Sequence, residues 1–362
     1  MHRRRVMFLN WRDTTHPEGG GSERYVEQLA GWLAEAGHEV LIHCGTHGRA
    51  AKSERRDGVR LLRRGGRFTV YPYGLLAVRR HRPDVVIDVQ NGIPFFSVLV
   101  HRRVVRLVHH VSRQQWLDTF GPVVGRLGWW LESRVAPPLY RGARCVAVST
   151  PTRDDLVALG VRPDLITVVH NATEPGGAPV EATPTPTITV VARLVGHKQV
   201  EHAVEVVARL APEFPDLVLR IVGEGPSRED ILATARRLGV ADRVRLLGSL
   251  DERAKNDAIG SAWLLLCPSG KEGWARVVME AAVREVPAVA YADAGGVRES
   301  IVDGETGLLA DDLDAMVAHT RRLLRDPAER TTMGKAAAAH AATFSPERTR
   351  DAFLAVLDSA LA

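Results

Sequence analysis

The sequence predicts an α/β protein built from two doubly wound domains. Short apolar runs of strand length alternate with segments whose apolar residues recur at helical spacing, which is typical of parallel sheets covered by helices. The chain has 362 residues and is 45% hydrophobic, which is enough for two cores. A stretch rich in Pro, Gly and Thr, from His170 to Gly177, interrupts the alternation and predicts a linker.

The first half contains a series of apolar runs, each of the length of a buried strand. They are Val6–Asn10, Glu39–Cys44, Val59–Leu62, Asp84–Val89, Val104–Val108, Ala143–Val148 and Ile166–Val169. Helical spacing after the first run ends at Gly37, a residue suited to a helix C-cap. Helical segments are also predicted around Tyr73–Arg80 and after Ser149, which precedes Pro151 as an N-cap residue would.

The second half repeats the alternation. Its predicted strands are Thr187–Ala192, Val218–Val222, Val244–Leu247, Ala262–Cys267 and Pro287–Tyr291. Helices are predicted from Val200 to Leu210, from Ser227 onward, around Val277–Ala282 and from Ser345 to Ala362.

Composition limits the compartment and the class. Cys44, Cys145 and Cys267 each lie in or at the end of a strand-like run, with spacing that suits neither a zinc site nor a disulfide framework. We therefore expect buried thiols in a reducing cytoplasm. The apolar run after the basic N-terminus is too short for a signal peptide, and no run approaches a membrane span. A soluble or peripheral membrane protein is expected.

Positive charge is concentrated in the first half of the chain. Residues 1–175 carry 26 Lys and Arg against 16 Asp and Glu, whereas the remainder carries 22 against 27. This asymmetry predicts an anionic partner, such as a phosphorylated acceptor or an acidic lipid surface, although a GC-rich genome would also enrich arginine. No helix-turn-helix, zinc-finger or RNP-like pattern accompanies the charge, so a nucleic-acid partner is not expected.

Two segments of the first half mix arginines with aromatic and aliphatic residues. They are Phe68–Arg82 and Phe95–Arg106. A basic amphipathic surface can lie on a bilayer. The alternative, which we favour, is a helix with a core face and a solvated face, followed by a partly buried strand.

Two glutamates flank a strand-to-helix junction in the second half. Glu272 and Gly273 follow the apolar run that ends at Cys267, and Glu280 lies eight residues on, inside the next helix. A helix N-terminus offers unpaired N–H groups to phosphate, and ionised carboxylates accept hydrogen bonds from sugar hydroxyls. The alternative is that Glu272 only caps the helix and that Glu280 is only solvated.

Other loops at strand ends carry residue types that bind phosphate or sugar. Arg193 and Lys198 lie between a strand and a helix, where two cations can clamp a diphosphate. The turn Gly223-Glu-Gly-Pro follows another strand, and a glycine loop from Gly19 to Ser22 follows the first strand of the chain. His109 and His110 follow the strand ending at Val108, a position where α/β folds place functional residues.

The combination of these motifs, in this order, resembles the retaining glycosyltransferases of family 4, which have the GT-B fold. The resemblance rests on Glu272-x7-Glu280, on the following Pro-Ala-Val-Ala strand, and on Ala-Gly-Gly-Val-Arg-Glu ending at Glu299. Ala275, Arg276 and Glu285 depart from the residues common in the family, which leaves the donor-sugar preference open. Asn10-Trp-Arg-Asp-Thr and Val108-His-His further resemble actinobacterial members.

The resemblance implies two Rossmann-like domains that face each other across a cleft. Residues 1–175 are expected to form the acceptor-side domain and residues 176–344 the domain that binds the nucleotide-sugar donor. The final helix, residues 345–362, is expected to pack back on the first domain.

The resemblance also implies roles for the site residues. Residues implied in catalysis are Glu272, His109 and His110, with His109 the better match to a family histidine. Residues implied in binding the donor diphosphate are Arg193, Lys198, Gly20, Gly21, Trp274, Ala275, Arg276 and Val277. Residues implied in binding the nucleoside are Glu280, Gly223, Glu224, Gly225, Ser249 and Leu250. Residues implied on the acceptor side are Ser22 and Trp116.

The implied function is transfer of a sugar from a nucleotide-diphospho sugar to an acceptor hydroxyl, with retention of configuration. No metal or other cofactor is expected. The implied setting is envelope-glycan, glycolipid or natural-product glycosylation in the cytoplasm or at the inner face of the membrane. Two alternatives stay open: a nucleotide-sugar epimerase or hydrolase on the same fold, and a non-catalytic nucleotide-sugar-binding protein.

Overall fold

The computed structural model describes residues 3–48, 50–111, 113–177 and 180–361. The chain divides into two compact units. Unit 1 comprises Met1–Ala172 together with Pro346–Ala362, and unit 2 comprises Thr173–Ser345. Each unit contains one sheet with helices packed against it, so the predicted class of two doubly wound α/β domains is confirmed.

Unit 1 is built on an eight-stranded sheet in the order β3-β4-β2-β1-β5-β6-β7-β8. The strands are β1 Arg5–Leu9, β2 Glu39–Cys44, β3 Ser53–Arg56, β4 Val59–Arg63, β5 Val85–Gln90, β6 Val104–Val108, β7 Arg144–Ala147 and β8 Ile166–Val168. All neighbouring pairs are parallel except β3 with β4. The central strands β5 and β6 are buried along their whole length, as expected for a parallel sheet covered on both faces.

The helices of unit 1 connect these strands. They are α1 Gly21–Glu35, α2 Val70–His81, α3 Arg113–Trp130, α4 Ala136–Leu139 and α5 Thr150–Ala158. Ser149 caps α5 as predicted, because its side chain accepts a hydrogen bond from the Thr152 N–H. Gly121 has φ 71° and divides α3 into two segments, the second of which begins at Pro122.

Unit 2 is built on a six-stranded parallel sheet in the order β11-β10-β9-β12-β13-β14. The strands are β9 Thr187–Val191, β10 Val218–Val222, β11 Val244–Gly248, β12 Leu264–Cys267, β13 Ala288–Tyr291 and β14 Gly307–Ala310. The helices are α6 Val200–Leu210, α7 Arg228–Arg237, α8 Glu252–Gly260, α9 Arg276–Ala282, α10 Val297–Ser300, α11 Leu313–Arg325 and α12 Pro327–Ala342. One continuous apolar core joins the sheet to α6, α9 and α11.

The last helix, α13 Pro346–Leu361, packs on unit 1. It contacts strands β5, β6 and β7 and helix α1. The ring of Phe353 lies 6.3 Å from the ring of Phe8 on β1, and Phe353 itself is buried. Burial of this apolar face attaches the C-terminal segment to the N-terminal sheet.

Predicted and observed elements agree best where apolar runs are long. Glu39–Cys44, Val104–Val108, Val200–Leu210 and Val218–Val222 coincide with observed elements. Strand β3 was not predicted, because its sequence Ser-Glu-Arg-Arg has no apolar run. It is an edge strand, held by antiparallel pairing with β4 and by ion pairs of its Glu54 and Arg56.

The first of the two basic amphipathic segments, Phe68–Arg82, contains helix α2. Helix α2 buries Val70, Gly74 and Val78 and exposes Leu76, Arg79 and Arg80, so it has a core face and a solvated face. The three cysteines are free and buried, as predicted. No helix in the described ranges is long and apolar enough to cross a bilayer.

Candidate active site

The strand order of unit 2 creates a place for a ligand. Strands β9 and β12 are neighbours in the sheet, although β10 and β11 come between them in sequence and lie on the other side of β9. In open α/β sheets, ligands bind outside the carboxyl ends of the strands at such a reversal. The loop after β9 carries Arg193 and Lys198, and the loop after β12 carries Glu272. We call these three residues the switch-point cluster.

An ion pair joins the two loops of the switch-point cluster. The Lys198 Nζ lies 2.6 Å from the Glu272 Oε1, and the two side chains are 16% and 15% exposed. The loops also contact through their backbones, because the Gly270 N–H donates to the His197 carbonyl at 3.0 Å. A lysine ammonium has three N–H donors, so the bond to Glu272 leaves donor capacity for an anion.

The charge of Glu272 is maintained by its neighbours. Burial acts to raise the pKa of Glu272, but the charge and hydrogen bond of Lys198, with a hydrogen bond from Ser269, together hold that pKa below its ordinary value. Glu272 is therefore an ionised acceptor at neutral pH. The buried thiol of Cys267 lies beside it, and burial together with the Glu272 charge raises the pKa of Cys267 to about 12.

Arg193 supplies a second cation in the loop after β9. Its side chain is exposed, and within the described part of the chain it has neither an ion pair nor a side-chain hydrogen bond. The switch-point cluster thus presents one guanidinium that is open to solvent and one ammonium that is held by a carboxylate. This combination can neutralise a diphosphate while it places an acceptor carboxylate next to it.

Two glycines bring the loop after β10 against the loop after β9. A Cβ on Gly223 would lie 1.9 Å from the Ala192 carbonyl oxygen, and a Cβ on Gly225 would lie 2.3 Å from that of Leu194. Their φ angles are +132° and +159°. Only glycine allows both the backbone conformation and the close approach. The Gly223-Glu-Gly turn is therefore fixed against the loop of Arg193.

The loop after β11 joins the same edge of the sheet. The Gly223 N–H donates to the Gly248 carbonyl at 2.8 Å. Glu224 and Ser249 are exposed, and Leu250 is half-buried. The structure thus brings the predicted nucleoside-side residues of these two turns to the edge that carries the switch-point cluster.

The loop from Glu272 to Ala275 is held by the turn after β13. The Glu272 N–H donates to the Ala294 carbonyl at 2.7 Å, and the Gly296 N–H donates to the Glu272 carbonyl at 3.0 Å. The ring of Trp274 is buried against Phe344, with ring centroids 4.8 Å apart, so this side chain supports the loop from below. Any contact of Trp274 with a ligand would come from its backbone.

Helix α9 begins directly after this loop. Ala275 precedes the helix in a left-handed conformation, with φ 55°, and Arg276 and Val277 form its first turn. The first N–H groups of a helix have no intrahelical acceptor, so this turn can donate to a phosphate. The departure from the family residue Gly at position 275 therefore places an alanine where a positive φ favours glycine.

Glu280 lies within α9, four residues after the first residue of the helix, and forms an ion pair with Lys255. Its Oε2 lies 2.8 Å from the Lys255 Nζ, and its side chain is 23% exposed. Lys255 is on α8 and also contacts Glu252 at 3.2 Å. Sequence reasoning missed Lys255, because the pair joins two helices whose packing no local pattern reveals.

In unit 1, the glycine loop after β1 leads into α1. The Gly20 N–H donates to the Glu23 Oε2 at 2.7 Å, and the Ser22 hydroxyl donates to the same oxygen at 2.8 Å. Glu23 thus forms half of a capping box at this helix start. Gly21 is the first, exposed residue of α1. An anion at this helix N-terminus would compete with the Glu23 carboxylate.

The two predicted histidines differ in access. His109 is 5% exposed, and its ring packs edge-on against Tyr25 at 5.7 Å. The Tyr25 hydroxyl donates to the Val169 carbonyl, so the aromatic pair is anchored in the core of unit 1. His110 is half-buried and is the more accessible of the two.

Trp116 is held mainly by packing. A Cβ on Gly128 would lie 2.4 Å from its indole ring and a Cβ on Gly92 would lie 2.8 Å from it. Its Nε1–H donates to the buried Glu132, which also accepts from Gln90. Burial raises the pKa of Glu132 to about 7, although the bonds from Trp116 and Gln90 and the charge of Arg106 oppose the rise. The contacts of Trp116 in this structure are thus structural ones.

No group of three or more His, Cys, Asp or Glu side chains that could hold a metal ion occurs among the described residues. The predicted residues in the loops after β9, β10, β11 and β12 lie at one sheet edge, whereas the Trp274 ring faces the core and Glu280 lies on α9, paired with Lys255. Gly20, Gly21, Ser22, His109 and His110 follow strands β1 and β6 of unit 1.

Comparison with known proteins identifies both halves of the chain. Residues 19–176 match the family model described as Glycosyltransferase Family 4. Residues 178–340 match the family model described as Glycosyl transferases group 1. Together the two matches extend from the glycine loop of unit 1 to helix α12.

Several curated relatives are more than 30% identical over part of their length, among them the following two. D-inositol 3-phosphate glycosyltransferase of Segniliparus rotundus is 37% identical over 153 residues, which are 41% of this chain and 34% of that protein. GDP-mannose-dependent α-(1-6)-phosphatidylinositol monomannoside mannosyltransferase of Mycolicibacterium smegmatis is 33% identical over 181 residues, 48% of this chain and 47% of that protein. The matches thus span less than half the length of either relative.

Among solved structures, sucrose-phosphate synthase of Thermosynechococcus elongatus superposes with a TM-score of 0.83 at 19% identity. The superposition covers 99% of each chain. At this identity the likeness establishes the fold alone, which is the two-domain α/β fold of GT-B proteins. With both family models matched in order along that fold, the chain belongs to the GT-B glycosyltransferases of family 4, the glycosyl transferases group 1.

Proposed function

We propose that the protein transfers a sugar from a nucleotide-diphospho sugar to an acceptor hydroxyl. The observation that carries this proposal is the switch-point cluster, in which the Lys198–Glu272 ion pair and the open Arg193 lie at the reversal of strand order in unit 2. A nucleotide-diphospho sugar offers this cluster a dianionic diphosphate and a ring of hydroxyl donors. Family membership and the donor named for the mannosyltransferase relative, GDP-mannose, support the same class of substrate.

The chemistry follows from where charge develops. Breaking the anomeric C–O bond leaves negative charge on the departing diphosphate and positive charge on the sugar ring. Arg193, Lys198 and the N–H groups of the first turn of α9 are preorganised donors for the departing phosphate. Ionised Glu272 accepts hydrogen bonds from the donor sugar and lies on the side of the developing positive charge. The acceptor oxygen then forms the new bond to the anomeric carbon, and its proton passes to an oxygen of the departing diphosphate.

We propose the other roles on the same basis. Glu280 accepts the ribose hydroxyls, with Gly223, Glu224, Gly225, Ser249 and Leu250 forming the nucleoside side. Gly20 and Gly21 are assigned to the donor diphosphate, Ser22 and Trp116 to the acceptor side, and His109 or His110 to catalysis. Transfer proceeds with retention of configuration and without a metal ion.

The acceptor we propose is anionic or lipid-linked, which would place the protein in the cytoplasm at the inner face of the membrane. Residues 1–175 carry the excess of positive charge, and both relatives have names that specify a phosphorylated inositol acceptor. An anionic acceptor would be attracted by unit 1 over a distance of about 10 Å at 0.1 M salt.

The test is an assay of donor consumption with a panel of UDP, GDP, ADP and dTDP sugars, with and without hydroxyl acceptors. We expect one donor to be consumed only when an acceptor is present, EDTA to leave the rate unchanged, and the product to keep the anomeric configuration of the donor. Consumption without an acceptor would instead identify a hydrolase or epimerase. Tight nucleotide binding with no turnover on any acceptor would identify a binding protein.

A further inference from the structure

A surface of unit 1 that faces solvent has the composition of a membrane-contacting surface. The second segment of α3 begins at Pro122 and ends at Trp130, followed by a π-helical turn, Leu131–Val135, and by α4. Four large apolar side chains of this segment are exposed. They are Val123 at 80%, Val124 at 45%, Leu127 at 57% and Trp130 at 53%.

These side chains are not part of the core, because the opposite face of the same helix is already packed. Gly125 and Gly128 lie against Trp116, and a Cβ at either position would come within 2.6 Å of it. Glu132, one turn on, accepts the Trp116 indole N–H. Residues 125, 128 and 132 therefore mark the inward face, and Val123, Leu127 and Trp130 point away from it at helical spacing.

The exposed charged side chains between positions 121 and 142 have one sign. Arg126, Arg134 and Arg141 are exposed. Glu132 is the only acidic residue between positions 121 and 142, and it is buried at 1% exposure, with both carboxylate oxygens bonded to neighbouring side chains. Among the described side chains of this segment, apolar groups are thus exposed among arginines and no carboxylate is exposed. We call this surface the α3 face, defined as Val123, Val124, Leu127 and Trp130 with Arg126 and Arg134.

We propose that the α3 face docks on an anionic lipid bilayer. Its apolar side chains enter the boundary between headgroups and acyl chains, and its arginines contact anionic headgroups. Trp130 has the amphipathic ring that favours this depth. A partner protein would need carboxylates placed to match these arginines. An anionic bilayer offers negative charge to the arginines at any orientation of the protein. Docking itself does not depend on the proposed function. Its purpose does rest on that function, because docking would bring the enzyme to a lipid-linked acceptor.

The α3 face differs from the α2 surface, for which the sequence raised a membrane role but favoured an ordinary helix with one core face and one solvated face. Helix α2 also exposes Leu76, Arg79 and Arg80, and Phe68 before it is 67% exposed. That surface exposes two large apolar side chains, Phe68 and Leu76, whereas the α3 face exposes four within about two helical turns. A substitution test can therefore compare two surfaces of the same unit.

The experiment is co-sedimentation of the full chain with vesicles of phosphatidylglycerol and phosphatidylcholine, or of phosphatidylcholine alone. The test variant is Val123→Ser/Leu127→Ser/Trp130→Ser, and the matched control is Phe68→Ser/Leu76→Ser/Val157→Ser, which removes three exposed apolar side chains elsewhere in unit 1. A third variant, Arg126→Glu/Arg134→Glu, keeps the apolar groups. Circular dichroism and thermal unfolding verify that every variant is folded.

We expect the wild type and the control to bind the anionic vesicles, and to bind phosphatidylcholine alone weakly. The test variant should lose vesicle affinity on the order of tenfold or more, and each arginine removed should cost roughly fivefold. Binding should weaken as salt rises. Vesicle binding does not require turnover, so Lys198→Met should bind like the wild type even if it is inactive, which separates failure of this proposal from failure of the proposed function.

Three outcomes would overturn the proposal. One is the absence of binding to anionic vesicles. Another is a control variant that loses as much affinity as the test variant. The third is self-association of the chain, seen by analytical ultracentrifugation and removed by the test variant, with no vesicle binding. That last result would assign the α3 face to a second copy of the chain.

Discussion

In each unit, the loop that follows the first strand in sequence, β1 or β9, carries one member of an ion pair. The two ion pairs differ in how deeply they are buried. In unit 1, Asp13 follows β1 and pairs with Arg63, with side chains that are 0% and 1% exposed. In unit 2, Lys198 follows β9 and pairs with Glu272, with side chains that are 16% and 15% exposed. The topology around the two loops is the same, because both lie at a reversal of strand order.

The Asp13–Arg63 pair has little capacity left for a ligand. Asp13 also accepts from the Thr15 N–H at 2.9 Å and the Thr15 hydroxyl at 2.7 Å, and His47 lies 3.2 Å away. Arg63 also contacts Glu54 at 2.8 Å and the Ala51 carbonyl at 2.9 Å. The Lys198–Glu272 pair lies at a surface and keeps donors and acceptors unused. The difference indicates that equivalent positions of one fold can be closed by a buried ion pair in one unit and left accessible to a ligand in the other.

The largest effect should come from breaking the buried pair. Arg63→Met leaves the Asp13 carboxylate buried without its cation, and we expect a loss of about 3–5 kcal/mol in the free energy of unfolding, measured by urea denaturation. Arg162→Met, which breaks an exposed pair with Asp164 in the same unit, should leave the unfolding midpoint unchanged. Equal stability of both variants would show that the buried pair is not structural.

Breaking the less buried pair, Lys198–Glu272, should instead affect activity. Lys198→Met removes a donor to the departing phosphate, and kcat/KM should fall by about 10²–10³, equivalent to about 2.7–4 kcal/mol of transition-state stabilisation. Its unfolding free energy should change far less than that of Arg63→Met. The control is Lys335→Met, which removes an exposed lysine of the same unit and should retain full activity. An active Lys198→Met enzyme would contradict the assignment of the switch-point cluster.

The contribution of the Asp13–Arg63 pair to the free energy of unfolding should also depend on pH in the acid range. Burial acts to raise the pKa of Asp13, but hydrogen bonds from Thr15 and the bond and charge of Arg63 lower it from 3.8 to about 2. Because the folded-state pKa is depressed, its contribution of about 2 kcal/mol is present above the unfolded value and is lost as pH falls from about 4 to about 2. Stability measured across this range should fall more steeply in the wild type than in Asp13→Asn.

The smallest predicted effect concerns the paired glutamate at the nucleoside side. Glu280→Gln should weaken nucleotide binding about tenfold, or about 1.4 kcal/mol, because a carboxylate that holds ribose hydroxyls acts in binding itself. Lys255→Met breaks the same ion pair but keeps the carboxylate, so nucleotide affinity should change by less than about threefold. If both variants lose affinity equally, Glu280 acts only through its pair with Lys255.

The sequence predicted many of the elements that have a local pattern, although strand β14 and helices α8, α11 and α12 were not predicted. Buried strands such as β6 and the helix α6 were predicted to the residue, because apolar runs and helical spacing are local signals. Edge strand β3 was missed, because its polar sequence has no apolar run and it forms a strand only through its pairing with β4. The same distinction holds in the site, where the motifs placed Arg193, Lys198 and Glu272 at one sheet edge but gave no sign of Lys255 beside Glu280.

Two further features could not be read from spacing. The Asp13–Arg63 pair joins a loop to a strand fifty residues away, so it depends on the order of strands in the sheet. Trp116, predicted on the acceptor side, has an indole held by Gly92, Gly128 and Glu132. The glycines that accommodate this ring are recognisable only when the helices are placed together.

The central claim is that the switch-point cluster binds the diphosphate of the donor. Calorimetric titration with UDP, GDP, ADP and dTDP tests it most directly, with wild type, Lys198→Met and Asp13→Asn compared at a temperature where all three are folded. We predict that one nucleoside diphosphate binds the wild type and Asp13→Asn with the same Kd, and that Lys198→Met raises this Kd at least about tenfold. Unchanged affinity in Lys198→Met, or binding lost equally in Asp13→Asn, would contradict the account.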